Sequence, residues 1–337
     1  MRQFGSAHVG WRIESQAILV VALILAHLVA PLTATAQPPS KVPRVGYLSP
    51  ALDTPLLAAF RQGLRDLGWV EGQNIAIEVR SAEGKYDRLP ELAAELVRLK
   101  VDVIFASTTP AALAAKHATT TIPIVIGFVA DPIGSGLVAS LAHPGGNITG
   151  WTHLGRELRG KYLELLKEAV PGATRIGVLW NPTNPIHGPS MKNVEAAAQV
   201  LKVQLHPVGV QDPKEIESAF ATLARERVEA LTVLPDGMFL AQGDRIISLA
   251  ARSRLPAMYG ITELAKAGGL MGYGVDFPDM YRRGASFVDR ILKGAKPADL
   301  PVEEPTRFYL IINLKTAKAL GLTIPQSILL RADELIQ

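Results

Sequence analysis

The sequence predicts an α/β protein made of two doubly wound parallel-sheet lobes joined by a hinge. Three observations predict it. Short runs rich in β-branched residues alternate with amphipathic or alanine-rich stretches along nearly the whole chain, as in repeated βα units. Runs such as VDVIFA (101–106) and IPIVIGFVA (122–130) are apolar throughout, which suits strands buried on both faces of a parallel sheet. At 337 residues the chain is too long for one small domain and comfortable for two α/β lobes.

Composition narrows the class. Hydrophobic residues make up 48% and charged residues 20%, enough for a full core and unlike a disordered chain. Cysteine is absent, which removes disulfides, thiolate metal sites, a cysteine nucleophile and a lipid anchor on an N-terminal cysteine. The +4 formal charge is mild and its Lys and Arg residues are scattered, so no nucleic acid partner is expected. Residues 1–36 read as a cleavable secretory signal: Arg2 and Arg12 precede the apolar run Ala17–Ala30, and Ala34 and Ala36 offer an A-x-A site. That run is shorter than the ~18 residues of a spanning helix, and His27 interrupts it. The mature protein is therefore expected in the periplasm.

RVGYLS (44–49) is the first strand, and 55–69 has helical spacing at Leu56, Phe60, Leu64 and Leu67, with Gly68 as its stop. Residues 74–80 alternate like an edge strand, and 86–100 form the next helix. The stretch 101–150 reads strand, helix, strand, helix, strand, with polar tips at Ser107-Thr108-Thr109 and at Asp131-Pro132. A second βα series follows the helix ELRGKYLELLKEAV (157–170), with strands at 175–182, 203–210, 229–236, 255–260 and 269–274. Phe277–Gly294 is a long helix and 296–305 a proline- and acid-rich linker. Then 308–322 runs from strand to helix with Asn313 as N-cap, and 325–336 closes the chain.

Over essentially the whole mature chain the sequence resembles the ABC-transporter substrate-binding proteins of the tryptophan/tyrosine type. RVGYLSP, GLRDLGWVEGQNIAIEVRSAEG, DPIGSGLVASLAHPGGNITG, KYLELLKEAVPGATRIGVLWNP, GGLMGYG and the block from YRRGASFVDRILKG to LKTAKALGL carry the resemblance, in that order. It implies a periplasmic binding protein fold of type I kind, with three crossings between lobes. The expected N-terminal lobe is 42–152 plus 277–295, and the C-terminal lobe 153–276 plus 300–337. It also implies delivery of a small ligand, often an aromatic amino acid in characterised relatives, to a membrane permease with a cytoplasmic ATPase. No cofactor and a monomeric protein are expected.

Ligands of open α/β sheets sit at the carboxyl ends of strands, so candidate site residues are the polar and aromatic groups there. Ser49, Ser107, Thr108 and Thr109 end first-lobe strands. Their hydroxyls and the helix N–H groups beyond suit a carboxylate, while capping by Thr109 before Pro110 is the plainer alternative. Asp131, Asp236 and Asp276 are acids at strand ends, each either a cap or the partner of a ligand ammonium. Asn181 and Asn184 lie in a proline-fixed loop and either bond a ligand or make Asx turns. Trp151, Tyr259 and Tyr273 are candidate aromatic walls, with core or hinge packing as the alternative. His143-Pro144-Gly145-Gly146 lacks phosphate-loop spacing and reads as a turn. Two other functions are alternatives: the binding component of a sensor, and an exported hydrolase-like enzyme. The second lacks a G-x-S-x-G elbow, an HExxH motif and any histidine with an evident acid partner, so no catalytic or metal-ligating residue is expected.

Overall fold

The structure, a computed structural model, describes residues 41–51, 54–153 and 158–337. The signal segment expected at 1–36 lies outside these. Among the described residues the strands form two sheets. The first has five parallel strands in the order β2-β1-β3-β4-β5: β1 Arg44–Ser49, β2 Ala76–Ser81, β3 Val103–Thr108, β4 Ile124–Ala130 and β5 Ile148–His153. Helices α1 (Thr54–Asp66), α2 (Leu89–Arg98) and α3 (Thr109–Ala118) make its crossovers. As the alternating pattern suggested, β2 is the half-buried edge, whereas every residue of β3 is buried.

One expected element is missing. No helix forms between β4 and β5; 131–147 is a series of turns. Asp131 takes a left-handed backbone at φ 48°; its Oδ1 accepts the Gly134 N–H at 2.8 Å, a cap-type bond, and its carbonyl accepts the Ser135 N–H at 3.0 Å, which closes one turn that does not go on as a helix. Gly134, Gly136 and the Pro144-Gly145-Gly146 run keep the stretch irregular, because glycine loses most freedom in a helix and proline removes a donor.

The second sheet has seven strands in the order β12-β11-β10-β9-β8-β6-β7. They are β6 Arg175–Trp180, β7 Gln204–Gly209, β8 Ala230–Val233, β9 Ala257–Tyr259, β10 Met271–Gly274, β11 Tyr309–Asn313 and β12 Glu334–Ile336. All neighbours run parallel except β10 and β11. Its helices are α4 (Leu158–Ala169), α5 (His187–Leu201), α6 (Ile216–Arg225), α7 (Gly237–Ala241), α8 (Gly243–Arg252) and α9 (Thr262–Lys266). The single helix expected over 239–253 is broken at Gln242 into α7 and α8.

Helix α10 (Phe277–Leu292) leaves the second sheet and packs on α1 and on β3, β4 and β5. Contact with α1 is close because Gly63 has no side chain: a Cβ there would lie 2.2 Å from the Arg282 carbonyl oxygen. Residues 296–305 run back beside β5, where Glu303 N–H donates to Gly150 O and Thr152 N–H to Glu303 O. The chain then adds β11, α11 (Leu314–Leu320), α12 (Gln326–Leu329) and β12 to the second sheet. Asn313 caps α11 as expected, its Oδ1 accepting the Thr316 N–H at 3.1 Å.

Candidate functional site

The carboxyl ends of both sheets face one another, and Asp236 stands where they meet. It follows β8 and caps α7, its Oδ1 accepting the Met238 N–H at 2.9 Å. The same oxygen accepts a 2.6 Å bond from the Tyr86 hydroxyl, which comes from the first-sheet half just before α2, and Oδ2 accepts Asn184 Nδ2 at 2.9 Å. Burial, and then the Asp236 carboxylate, push the Tyr86 phenol well above its ordinary range, so it stays a donor. The two halves touch here: a Cβ on Gly237 would lie 2.9 Å from Pro50 Cγ and 3.4 Å from Thr108 Cγ2.

Beside this contact is a small cavity of about 10 Å³, close to the room one water needs. Thr108, Phe128, His153, Arg159, Asn184 and Asp236 are among its lining residues. Thr108 Oγ1 is buried there without a hydrogen bond. Thr109 also lines the cavity, but as the first residue of α3 and not its cap; its Oγ1 accepts the Ala130 N–H at 3.1 Å. Thr108 holds the cap position with extended backbone and makes no side-chain cap bond.

Arg159 is 1% exposed, near the start of α4. Among the described residues no carboxylate pairs with it. Its Nη1 donates to Tyr162 Oη at 3.0 Å, its carbon Cζ lies 5.5 Å from the Tyr162 ring centre, and its Nε is buried without a partner. Burial lowers its pKa, but a guanidinium keeps its charge at any ordinary pH. Burial and then Arg159 hold His153 well below the usual imidazole range, so its ring is neutral and acts as an aromatic surface. Phe128 stacks on it at 4.0 Å with a 6° interplanar angle, and Phe277 meets Phe128 edge-on at 4.2 Å. The cavity thus has a cationic fork, a carboxylate and a ring stack, with an unpartnered hydroxyl on its wall.

His187 holds two of the contributing loops together. Its Nδ1 accepts the Asn181 N–H at 2.9 Å and its Nε2 stands 3.1 Å from the Pro235 carbonyl oxygen, the pattern of a neutral ring with its proton on Nε2. Burial lowers its pKa in agreement with that tautomer. The loop after β6 and the loop before α7 are fixed to one another by one imidazole.

The structure brings Thr108, Thr109, Asn184 and Asp236 to the cavity. Ser49 and Ser107 lie behind it, their hydroxyls bonded to each other at 3.0 Å, with the Ser107 carbonyl accepting from Tyr281. Asn181 uses Oδ1 to accept from the Thr183 N–H and hydroxyl, as in an Asx turn. The other residues stand elsewhere. Asp131 is committed to its turn, and Trp151 is buried in the core with Arg283 over its ring at 5.7 Å. Tyr259 is 1% exposed: its strand ends level with Val233 of β8, but its ring lies in the core against Gly269 and not in the cleft. Tyr273 faces α4, edge-on to Tyr162 at 6.4 Å, and Asp276 caps α10 by accepting the Asp279 N–H at 2.9 Å. Sequence reasoning missed Tyr86, Phe128, His153 and Arg159. For Arg159 a signal existed: it precedes Tyr162, Leu163 and Leu166 at helical spacing, which puts a charged residue on an apolar stripe.

Known proteins resemble this chain over most of its length. A family model described as "ABC transporter substrate binding protein" matches residues 49–336. The chain is similar to a tyrosine-binding protein of Clostridioides difficile, at 29% identity over 78% of this chain and 75% of that one. It is also similar to a Streptococcus pneumoniae ABC domain solved with L-Trp, at 28% identity and a TM-score of 0.76, covering 87% of this chain and all (100%) of that one. A ligand-free, open substrate binding protein from Clostridium difficile gives 25% identity and a TM-score of 0.57, over 88% of this chain and 100% of that one. The chain as a whole thus superposes better on the L-Trp complex than on the open form.

Proposed function

We propose that this chain, which belongs to the ABC transporter substrate-binding protein family, closes its two lobes on an aromatic amino acid. It is the substrate-binding component of an ABC transporter, and its family is one of binding proteins, not enzymes. The observation that carries the ligand proposal is the buried Arg159 guanidinium, which lacks a carboxylate partner among the described residues and opens on a cavity shared with Asp236. A buried cation without an anion costs several kcal/mol, and an incoming carboxylate relieves that cost. In this reading Arg159 takes the ligand carboxylate, with Thr108 Oγ1 as a further donor. Asp236 and Asn184 take the ammonium, and the Phe128–His153 stack receives the ring. The names of the tyrosine-binding and L-Trp-bound relatives support the same ligand class.

The cavity of about 10 Å³ is far below the ~300 Å³ or more of a small-ligand site, so loading requires the lobes to part and Tyr86 to leave Asp236. We take the lobes as 42–152 plus 277–295 and 153–276 plus 300–337. The packing of α10 on the first sheet and the addition of β11 and β12 to the second support those limits. The site of action would be the periplasm, supported by the signal-like segment 1–36, with delivery to a permease and its cytoplasmic ATPase. Thermal shift and calorimetry with L-Tyr, L-Trp, L-Phe and aliphatic amino acids test the proposal. A rise in melting temperature confined to aromatic amino acids is expected. A response to non-amino-acid metabolites alone would overturn the ligand class, and turnover of any of them would overturn the binding role.

A further inference from the structure

A second and larger cavity lies between the two halves, away from Asp236. It measures about 420 Å³, within the range of small-ligand sites. Its walls come from both halves: Pro55 and Leu56 of α1 on one side, and Leu240, Leu264 and Ala241 of α7 and α9 on the other. The ionisable groups among its lining residues are two acids, Glu263 and Asp244. Glu263 Oε1 is buried without a hydrogen-bond partner, while Oε2 accepts the Thr262 hydroxyl at 3.2 Å. An unpartnered carboxylate oxygen at an otherwise apolar wall is an acceptor without a donor.

We propose that this cavity is a second binding site, for a small aromatic primary amine that carries no carboxylate. The acids supply the charge partner of an ammonium group, and the leucine and proline walls suit a ring on a short tether. Among the described residues no basic side chain lines the cavity, so the carboxylate of an amino acid would be left unpaired beside two acids. The ligand class therefore differs from that of the Arg159–Asp236 site, and the argument does not rest on that reading.

Protonation gives the site a signature. Burial pushes the Glu263 carboxyl up to about 7, with Asp276 at the start of α10 raising it further and Lys266 on α9 lowering it. Of the other charged groups nearby, Arg245 on α8 is engaged with Glu217, and Asp279 on α10 with Arg283. Asp244 lines the same wall, and α1 brings the apolar Pro55 and Leu56 to it. An ammonium ligand pairs with the ionised carboxylate, so its affinity should fall roughly tenfold from pH 8 to pH 6 as Glu263 takes up a proton.

The test is calorimetry of 2-phenylethylamine on the full chain, with L-tyrosine titrated in parallel. Wild type should bind the amine, with Glu263→Gln weakening it by about tenfold or more at pH 8 while tyrosine binding holds and the melt stays cooperative at an equal or higher midpoint. Ala241→Phe, at an exposed lining position, should block the amine and spare tyrosine. Equal amine affinity in wild type and Glu263→Gln overturns the proposal. So does competitive displacement of the amine by tyrosine, or no amine binding to wild type at millimolar concentration. Should Glu263→Gln lose its cooperative melt, Ala241→Phe decides: retained amine binding there overturns the site. Wild type that binds the amine but not tyrosine would sink the amino-acid reading and leave this one standing.

Discussion

Replacing Arg159 by methionine should weaken ligand binding and at the same time leave the unliganded protein as stable or more stable. The side chain is 1% exposed, has one hydrogen bond, to Tyr162 Oη at 3.0 Å, and leaves Nε without a partner. Holding a charge there costs several kcal/mol, and exchange of buried ions for well-packed apolar residues is neutral or stabilising by about 1–4 kcal/mol. Against this stands the Tyr162 hydroxyl, which loses its partner at about 1–3 kcal/mol, so the net change in the free protein lies near zero or on the stabilising side. Binding moves the other way. Each charge-assisted bond to a ligand carboxylate contributes about 1.5–3 kcal/mol, so loss of even one raises Kd roughly 10- to 150-fold. Calorimetry with L-Tyr and L-Trp, paired with urea unfolding of the free protein, reads both quantities. Arg159→Lys should fall between, since a point charge replaces a two-pronged fork. A Kd within about threefold of wild type would refute the assignment, and so would a loss of several kcal/mol in the free variant, which is the mark of a broken ion pair.

Three further outcomes are expected. Tyr86→Phe removes the 2.6 Å bond to Asp236 that joins the halves, worth about 1.5–3 kcal/mol, so the unliganded protein should populate a more open form; an unchanged radius of gyration by small-angle X-ray scattering would refute this. Gly237→Ala sets a Cβ 2.9 Å from Pro50 Cγ across the closed contact, and should weaken ligand binding with little change in the melting temperature of the free protein; wild-type affinity would show that the halves need not approach so closely. Glu263 has its folded pKa raised from 4.5 to about 7, so its contribution is fully present below about pH 4.5 and lost as pH rises through 7. The difference amounts to about 3 kcal/mol at pH 8, and Glu263→Gln should remove that decline between pH 5 and pH 8 in urea unfolding.

Much of the fold was legible because it is written locally. Runs such as VIFAST and IVIGFVA are apolar enough to declare buried strands, and Asn313 and Gly68 mark a cap and a stop by their own chemistry. The helix expected after Asp131 fails for a reason that is also local, the left-handed Asp131 and the glycines beyond it, but the proline-after-acid pattern looks the same in a turn and in a cap. The site was only half legible. Asp236, Asn184 and Thr108 announced themselves as polar strand ends, whereas Tyr86 and Arg159 do so only once two sheets face each other. Tyr259 shows the converse: a tyrosine at a strand end looks like a ligand wall until its ring is seen turned into the core against Gly269.

Helix α10 is donated by a chain that has just made β10 and that later returns to make β11 beside it. The second sheet therefore cannot be completed before the chain has visited the first, and the first lacks the helix covering β3–β5 until most of the second exists. Neither half is built from one continuous stretch of chain. Contacts of such long sequence separation slow folding, because loop closure must precede the contacts that reward it. A single kinetic transition for both halves follows, and cutting the chain between 292 and 309 would leave each without a part that only the other side of the cut supplies. If the halves part to load, as proposed, these shared elements limit how far they separate.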